Sequence, residues 1–366
     1  MKVICDRGAL VESLNLVAGV VVARTPKPVL TCVKLSAKDD ALTLTATDTE
    51  VSIHLSTPRI EVTDAGEALI PADKLQQIVR ESTDPTLTIT TKDDQTQIVG
   101  QDSRFKLLGY PAADFPDAPT FPDDADFEVS AADLHRLIAM TIFATARENS
   151  RYAINGVLLE RHNKDLTVVA TDGHRLAQAK GKCKSLQDAD RSAIIPTKAL
   201  NLLLRLFDDA EQTVKVKVND SQILFATDTA VLASNLVEGN FPPYKDVIPK
   251  DGDKKATIPT DIFISAVRRA GLLTNEESKG VRMAFDNGKL VITSRAPEMG
   301  EAEIKVDLPE YTGEAIEVGF NPAYLLDALK VVDENQIQLD MKATNKPGVL
   351  RTGPNFLYVV MPVNLQ

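Results

Sequence analysis

Apolar and polar residues alternate in three stretches of the chain, LTLTATDTEVSI from Leu42, LTVVATDGHRLA from Leu166 and LVITSRAPEMGE from Leu290. A period of two predicts half-buried β-strands, and successive stretches begin 124 residues apart. So even a spacing marks an internal repeat. A second element follows in the same order: ALIPADKLQQIV with Pro71, AIIPTKALNLLL with Pro196 and EVGFNPAYLLDAL with Pro322, the prolines 125 and 126 residues apart. Each predicts a short strand, a proline where a helix begins, then a helix with apolar residues at helical spacing. Phe115-Pro116 and Phe241-Pro242 recur 126 residues apart, and the chain ends at the equivalent place in the third copy, YVVMPVNLQ.

Every copy also opens on a helical pattern: DRGALVESLNLVAGVV, SAADLHRLIAMTIFATA with Ser130 as its N-cap, and IPTDIFISAVRRAGLL with Thr260 in that role. More strands follow the second helix, such as TLTITT, TQIVGQ and RFKLLGY. The pattern predicts an α+β fold of three similar domains, 1–122, 126–250 and 254–366, each with two helices laid on antiparallel sheet. The segments between them, PAADFPDAPTFPDDADFE and FPPYKDVIPKDGDKKATIP, are rich in proline and charge, as connections between compact domains are.

Length and composition agree with this division. The 366 residues exceed one ordinary core, and 43% hydrophobic with 25% charged residues is the balance of a globular protein. Cys5, Cys32 and Cys183 fit neither a disulfide framework nor a metal spacing, and His54, His135, His162 and His174 are isolated. Reduced cytoplasmic thiols and the absence of any metal or cofactor are therefore expected. The apolar run near the N-terminus is interrupted on its approach by Asp6, Arg7 and Glu12 and is far shorter than a membrane span.

A net charge of −11 argues at first against a nucleic-acid partner. Its distribution changes the picture. The six helical windows sum to +5, which leaves −16 on the rest of the chain. Helices so charged could face phosphates while strands and loops stay acidic, or could simply carry Lys and Arg on solvated faces.

Asp172-Gly173-His174-Arg175 raises the question of catalysis. In an alternating context Asp172-Gly173 reads as the turn of a hairpin. A catalytic Asp-His pair needs a nucleophile or a metal in reach, and the sequence nominates neither. A hydrolase using Asp172 and His174 is further disfavoured because the pair occurs in one copy of three.

The tripled α+β units, VATDGHRLA, the two Phe-Pro segments and the terminal YVVMP together resemble the bacterial sliding clamps, the beta subunits of the replicative DNA polymerase III holoenzyme, over the whole chain. The resemblance implies a head-to-tail homodimeric ring, helices lining the hole, that encircles double-stranded DNA without reading its sequence. Such a clamp tethers the polymerase catalytic subunit, is opened by a clamp loader, and also serves other proteins that carry a short clamp-binding peptide of the Gln-Leu-x-Leu-Phe kind. It implies a peptide groove built from Ile154, Thr171, Gly173, His174, Arg175, Leu176, Pro242, Val247, Val359, Met361, Pro362 and Val363. For DNA contact the matching positions are Arg24, Arg80, Asn149 and Lys198, each of which could instead be a solvated residue. For the dimer joint they are Lys74, Arg104, Phe105 and Leu107 on one side, Leu272, Leu273, Glu298 and Glu301 on the other, with Phe105 and Leu107 alternatively core residues of a strand.

Departures from the family pattern are Asp246, Pro243, Asp73 and the Val363-Asn364-Leu365-Gln366 ending. The competing expectation from the repeat itself is an interaction scaffold that does not encircle DNA.

Overall fold

The computed structural model describes residues 1–146, 153–207, 209–274, 280–297 and 299–364. Repeat one supplies β1 (Lys2–Asp6), α1 (Arg7–Val17), β2 (Cys32–Lys38), β3 (Ala41–Thr47), β4 (Val51–Thr57), β5 (Ile60–Asp64), β6 (Gly66–Pro71), α2 (Ala72–Glu81), β7 (Thr86–Lys92), β8 (Gln95–Val99) and β9 (Arg104–Leu108). Repeat two supplies β10 (Phe127–Ser130), α3 (Ala131–Ala139), β11 (Gly156–His162), β12 (Asp165–Thr171), β13 (Arg175–Lys182), β14 (Lys184–Ser185), β15 (Arg191–Pro196), α4 (Thr197–Leu206), β16 (Thr213–Val218), β17 (Gln222–Ala226) and β18 (Ala230–Asn235). Repeat three supplies β19 (Lys254–Pro259), α5 (Thr260–Ala270), β20 (Val281–Asp286), β21 (Gly288–Ala296), β22 (Gly300–Leu308), β23 (Tyr311–Thr312), β24 (Ile316–Phe320), α6 (Pro322–Leu329), β25 (Gln336–Met341), β26 (Gly348–Thr352) and β27 (Phe356–Val360). Among the described residues, then, each copy has nine strands and two α-helices in one order, as α+β units built on a single template.

Each unit divides its strands between two antiparallel sheets, and the sheets fuse across copies. Repeat one alone forms β5-β1-β7-β8-β9, and repeat three alone forms β22-β21-β20-β24. The nine-stranded sheet β14-β10-β16-β17-β18-β4-β3-β2-β6 joins the second copy to the first through β18 and β4, paired from Ala230↔Leu55 to Ser234↔Val51. The sheet β15-β11-β12-β13-β27-β26-β25-β19-β23 joins the second copy to the third through β13 and β27, paired from Arg175↔Val360 to Ala179↔Phe356. The described residues consequently fall into two compact units, Met1–His135 with Cys183–Ala189 and Lys198–Leu236, and Arg136–Lys182 with Asp190–Thr197 and Val237–Gln366. The middle repeat is shared between them.

Local side chains cap the N-termini of three helices among the described residues. Asp6 caps α1 by accepting from the Ala9 N–H at 2.8 Å, and Asn321 caps α6 through Ala323 with Pro322 in the first turn. Ser130 caps α3 as expected, accepting from the Asp133 N–H at 3.1 Å. Two expectations fail. The helix opening repeat two stops at Ala139 because the Thr141 hydroxyl turns back to the Leu137 carbonyl at 2.9 Å, and a 3-10 turn over Ile142–Ala144 follows. Thr260 is not an N-cap: it is the first residue of α5, and its hydroxyl donates to the Glu334 carbonyl at 2.6 Å, tying the helix start to the approach of β25.

The proline-rich connections are anchored rather than loose. Phe115 is buried against Cys32 and Leu69. Phe241 packs edge to face on Tyr244 with ring centroids 6.3 Å apart, over the buried Leu158, Val169 and Leu176. Equivalent Phe-Pro segments thus pin the chain to the preceding sheet in both copies.

Burial pushes the Cys5 thiol up to about 12 and raises Cys32 as well. At pH 8 only about one Cys5 in ten thousand is then thiolate, the reactive form. A thiol-specific reagent at pH 8 should leave Cys5 and Cys32 unlabelled in the folded protein and modify both in denaturant. Rapid labelling of either without denaturant, read by mass spectrometry, would contradict this core.

Candidate binding groove

The hairpin between β12 and β13 has its geometry fixed by side chains bonding to backbone. The Thr171 hydroxyl donates to the Arg175 carbonyl at 2.6 Å and accepts from the Gly173 N–H at 3.1 Å. Asp172 Oδ1 accepts from the N–H groups of His174 and Arg175, both at 3.0 Å. Gly173 sits at φ +87°, a conformation L side chains resist. Repeat one builds the same turn from Thr47-Asp48-Thr49-Glu50-Val51. There Thr47 bonds the Val51 carbonyl at 3.0 Å, Asp48 accepts from Glu50 and Val51 at 2.9 and 2.7 Å, and Thr49 has φ +79°. The first residues of Asp172-Gly173-His174-Arg175 are therefore a turn motif of the repeat.

What distinguishes the second copy is Arg175. Its side chain is 9% exposed and binds Asp172 through Nε at 3.0 Å, Asp327 through Nη1 at 2.8 Å and the Phe143 carbonyl through Nη2 at 2.8 Å. The guanidinium also lies 4.4 Å from the centroid of the Tyr324 ring. Burial works against its charge, and the bond to Asp327, with Asp172 nearby, outweighs that and holds it more firmly protonated than usual. One side chain thus locks the hairpin to α6 and to the 3-10 turn after α3.

Of the residues expected in a peptide groove, Ile154, Leu176 and Val359 are buried, as is Thr171, while Val247 at 57% and Met361 at 41% stand exposed. Pro242, Pro362 and Val363 are half-buried. The His174 ring stacks on Tyr324 at 6.4 Å, and its backbone carbonyl accepts from the Met361 N–H at 2.9 Å. The Val363 N–H bonds the Gly319 carbonyl at 2.9 Å, which lays the tail along α6's approach. All twelve residues expected in the groove belong to one compact unit, and strand pairing sets Leu176 opposite both Thr171 and Val359. Phe143, Tyr324 and Asp327 were not foreseen. Asp327 lies 152 positions from its partner Arg175, and nothing local in the sequence links them.

Asp172 has one oxygen in the turn and the other on Arg175, and His174 stacks on a tyrosine, so the pair does not form an acid-base couple. The hydrolase reading loses its acid.

Three family models cover the chain: the N-terminal domain of the DNA polymerase III beta subunit over residues 1–119, its central domain over 128–243 and its C-terminal domain over 245–364. The chain belongs to the DNA polymerase III beta subunit family. It is 36% identical to the beta sliding clamp of Pseudomonas putida across 98% of this chain and 99% of that one, and 32% identical to the clamp of Vibrio cholerae across the whole of both. A crystal structure of the Pseudomonas aeruginosa sliding clamp bound to griselimycin superposes over both full chains with a TM-score of 0.94 at 35% identity. That of the Bacillus subtilis clamp gives 0.96 at 28%. With the family comes the role of a DNA sliding clamp for polymerase processivity, a subunit without chemistry of its own. Nothing in these likenesses supports a scaffold that leaves DNA aside.

Sliding-clamp positions outside the groove can now be placed. Arg24, Arg80 and Lys198 are exposed; Asn149 and Glu298 lie outside the described residues. Arg24 follows the end of α1 rather than lying in it. Arg80 of α2 and Gln76 both bond the Asn15 side chain, at 3.3 and 2.7 Å, and Arg205 of α4 bonds the Asn15 carbonyl at 3.2 Å. Arg205 thus joins a cationic cluster spanning α1, α2 and α4. Lys198 is paired with Asp48 of the repeated turn. Arg104, Phe105 and Leu107 lie on β9, where Phe105 is 38% exposed and so not core; Lys74 on α2 is exposed beside Asp73 at 3.6 Å. Leu272, 69% exposed, and half-buried Leu273 form the 3-10 turn after α5, and Glu301 lies on β22. No helix among the described residues is long and apolar enough to cross a membrane.

Burial alone would raise the Asp48 carboxyl, but bonds from Lys198 and the turn N–H groups outweigh it and hold it below the ordinary carboxylate range. Stability from a depressed carboxylate is present above about pH 4 and lost as pH falls through its folded value. In Lys198→Gln the Asp48 carboxyl should titrate higher than in the parent protein by carbon-detected NMR, with the acid limb of the stability profile shifted to higher pH. An unmoved titration would show that Lys198 is free in solution.

Proposed function

We propose that two copies close head to tail into a ring of six domains around duplex DNA, with domains at 1–122, 126–250 and 254–366, and that the groove receives a short peptide from each protein the clamp tethers. The single observation that carries the ring is topological. Strands β9, β18 and β27 are equivalents, as are β4, β13 and β22. Within the chain β18 pairs with β4 and β27 with β13, which leaves β9 and β22 at open sheet edges. A second copy satisfies both edges through two identical contacts, the closed arrangement a two-fold dimer requires. Phe105 on β9 and the exposed Leu272 supply apolar surface to dewet at each joint, and Lys74, Arg104 and Glu301 supply charges that set register.

DNA is held by topology rather than affinity. Arg24, Arg80, Lys198 and Arg205 offer phosphate contacts that carry no sequence information, so one register along the duplex is as good as the next. Lys198 reaches a phosphate by sharing or releasing Asp48. The polymerase catalytic subunit, the clamp loader and other partners compete for the groove, where a few apolar anchors between Val247 and Met361 give modest affinity. The ring works in the cytoplasm, where the chromosome is replicated.

The purified protein should appear in negative-stain micrographs as a ring with a central hole and six lobes and sediment as a dimer, and Phe105→Asp should shift it to monomer. Compact particles with no hole well above micromolar concentration would remove the basis for tethering. Met361→Ala, or loss of the last five residues, should weaken a Gln-Leu-x-Leu-Phe peptide about tenfold, about 1.4 kcal/mol, in fluorescence polarisation. Full affinity in the shortened protein would contradict the groove assignment.

A further inference from the structure

One face of the sheet that walls the groove changes character along its strands. Residues paired across the strands form rows, and successive rows on one face are two residues apart. The first holds Leu176 and Val359, the second Leu158, Val169 and Gln178, the third Glu160, Thr167 and Lys180. The first two rows carry the apolar cluster under the linker from Phe241 to Ile248. The third, with Gln178 of the second, lines an adjoining cleft of about 710 Å³. Tyr244 divides the two: its ring belongs to the cluster, while its hydroxyl donates to Glu160 at 2.6 Å on the cleft side.

The cleft is basic in a chain whose net charge is −11. Five Lys and Arg line it against two acids, and both acids are engaged. Glu160 is held by Tyr244 and lies 3.8 Å from Lys245, and Asp190 bonds His162 at 2.6 Å. Lys180 and Lys250 are exposed and form no ion pair among the described residues. Their long, mobile stems suit the capture of a flexible charged chain better than the fixed fork a small anion prefers.

We propose that this cleft binds an acidic segment flanking the docking peptide of a partner protein. The proposal rests on the groove reading and extends the same site. From Leu176 to Lys180 along β13 is roughly 13 Å, about four residues of extended peptide. Acidic residues about four positions from the apolar motif therefore reach Lys180 and Lys250, and discriminate among partners whose apolar motifs are alike.

The test compares five fluorescent peptides on the full-length protein: the apolar motif alone, the motif with an Asp-Glu-Asp triplet four residues away at either end in turn, and the same two extensions with Asn-Gln-Asn. At about 50 mM salt one acidic extension should bind roughly three- to tenfold tighter than its amide counterpart, the gain fading at 500 mM as charges are screened. In the Lys180→Gln/Lys250→Gln double variant, both changes exposed and outside any ion pair among the described residues, that gain should vanish while the motif alone binds as before. A motif that binds with no acidic gain, or a gain the double variant keeps, overturns the cleft and leaves the groove standing. A motif that does not bind at all overturns the groove and the proposal with it. If the double variant instead loses affinity for a short DNA duplex while no acidic gain exists, the cleft is a phosphate contact and the peptide proposal fails.

Discussion

The edge of a β-sheet presents unpaired N–H and C=O groups, and the way this chain meets that constraint organises everything else in it. Each repeat makes two sheets, and a repeat standing alone would leave open edges on both. Pairing β18 with β4 and β27 with β13 closes one edge from each copy against its neighbour. Backbone hydrogen bonds, rather than linker stiffness, therefore fix the repeats to one another. The same rule leaves β9 and β22 as unmatched equivalents at the two ends of the series, and a head-to-tail dimer completes it.

The seam between β13 and β27 also brings expected groove residues together. Leu176 and Val359 face each other across it, and the β12–β13 hairpin is brought beside the C-terminal tail because the tail follows β27 directly. Arg175 then fixes the hairpin from within. A buried guanidinium is tolerable only when its donors are met, and here Asp172, Asp327, the Phe143 carbonyl and the Tyr324 ring meet them. Removing one partner leaves a charge stranded beside the hairpin. The hairpin is in this sense preformed, so a ligand docking against it need not order it first.

Charge follows the same logic of division. The acidic total keeps the protein soluble, while cations gather on the helices and in the cleft beside Tyr244. Local pairing tempers them: Asp48 holds Lys198, and Asn15 gathers Gln76, Arg80 and Arg205. Weakly held cations suit a protein that must slide, since strong isolated phosphate contacts would favour particular registers on the duplex.

Much of this was legible in the residues. The three copies, their helix starts at Pro71, Pro196 and Pro322, the Ser130 cap and the turn at Asp172-Gly173 all rest on local chemistry, because period, proline and capping act over a few residues. Where local signals competed, the reading failed: Thr141 ended α3 early, and Thr260 gave its hydroxyl to Glu334 instead of a cap. The lock of Arg175 on Asp327, the fusion of sheets through β18 and β27, and the basic cleft behind Tyr244 were not legible, since each joins residues far apart in sequence through pairing and burial that no periodicity encodes. The sequence by itself determined the repeated unit and its count, since those follow from patterns within each copy. Only the tertiary structure decided which edges meet and which stay open, because strand pairing is a contest among all available edges and is settled by the packing of the folded whole.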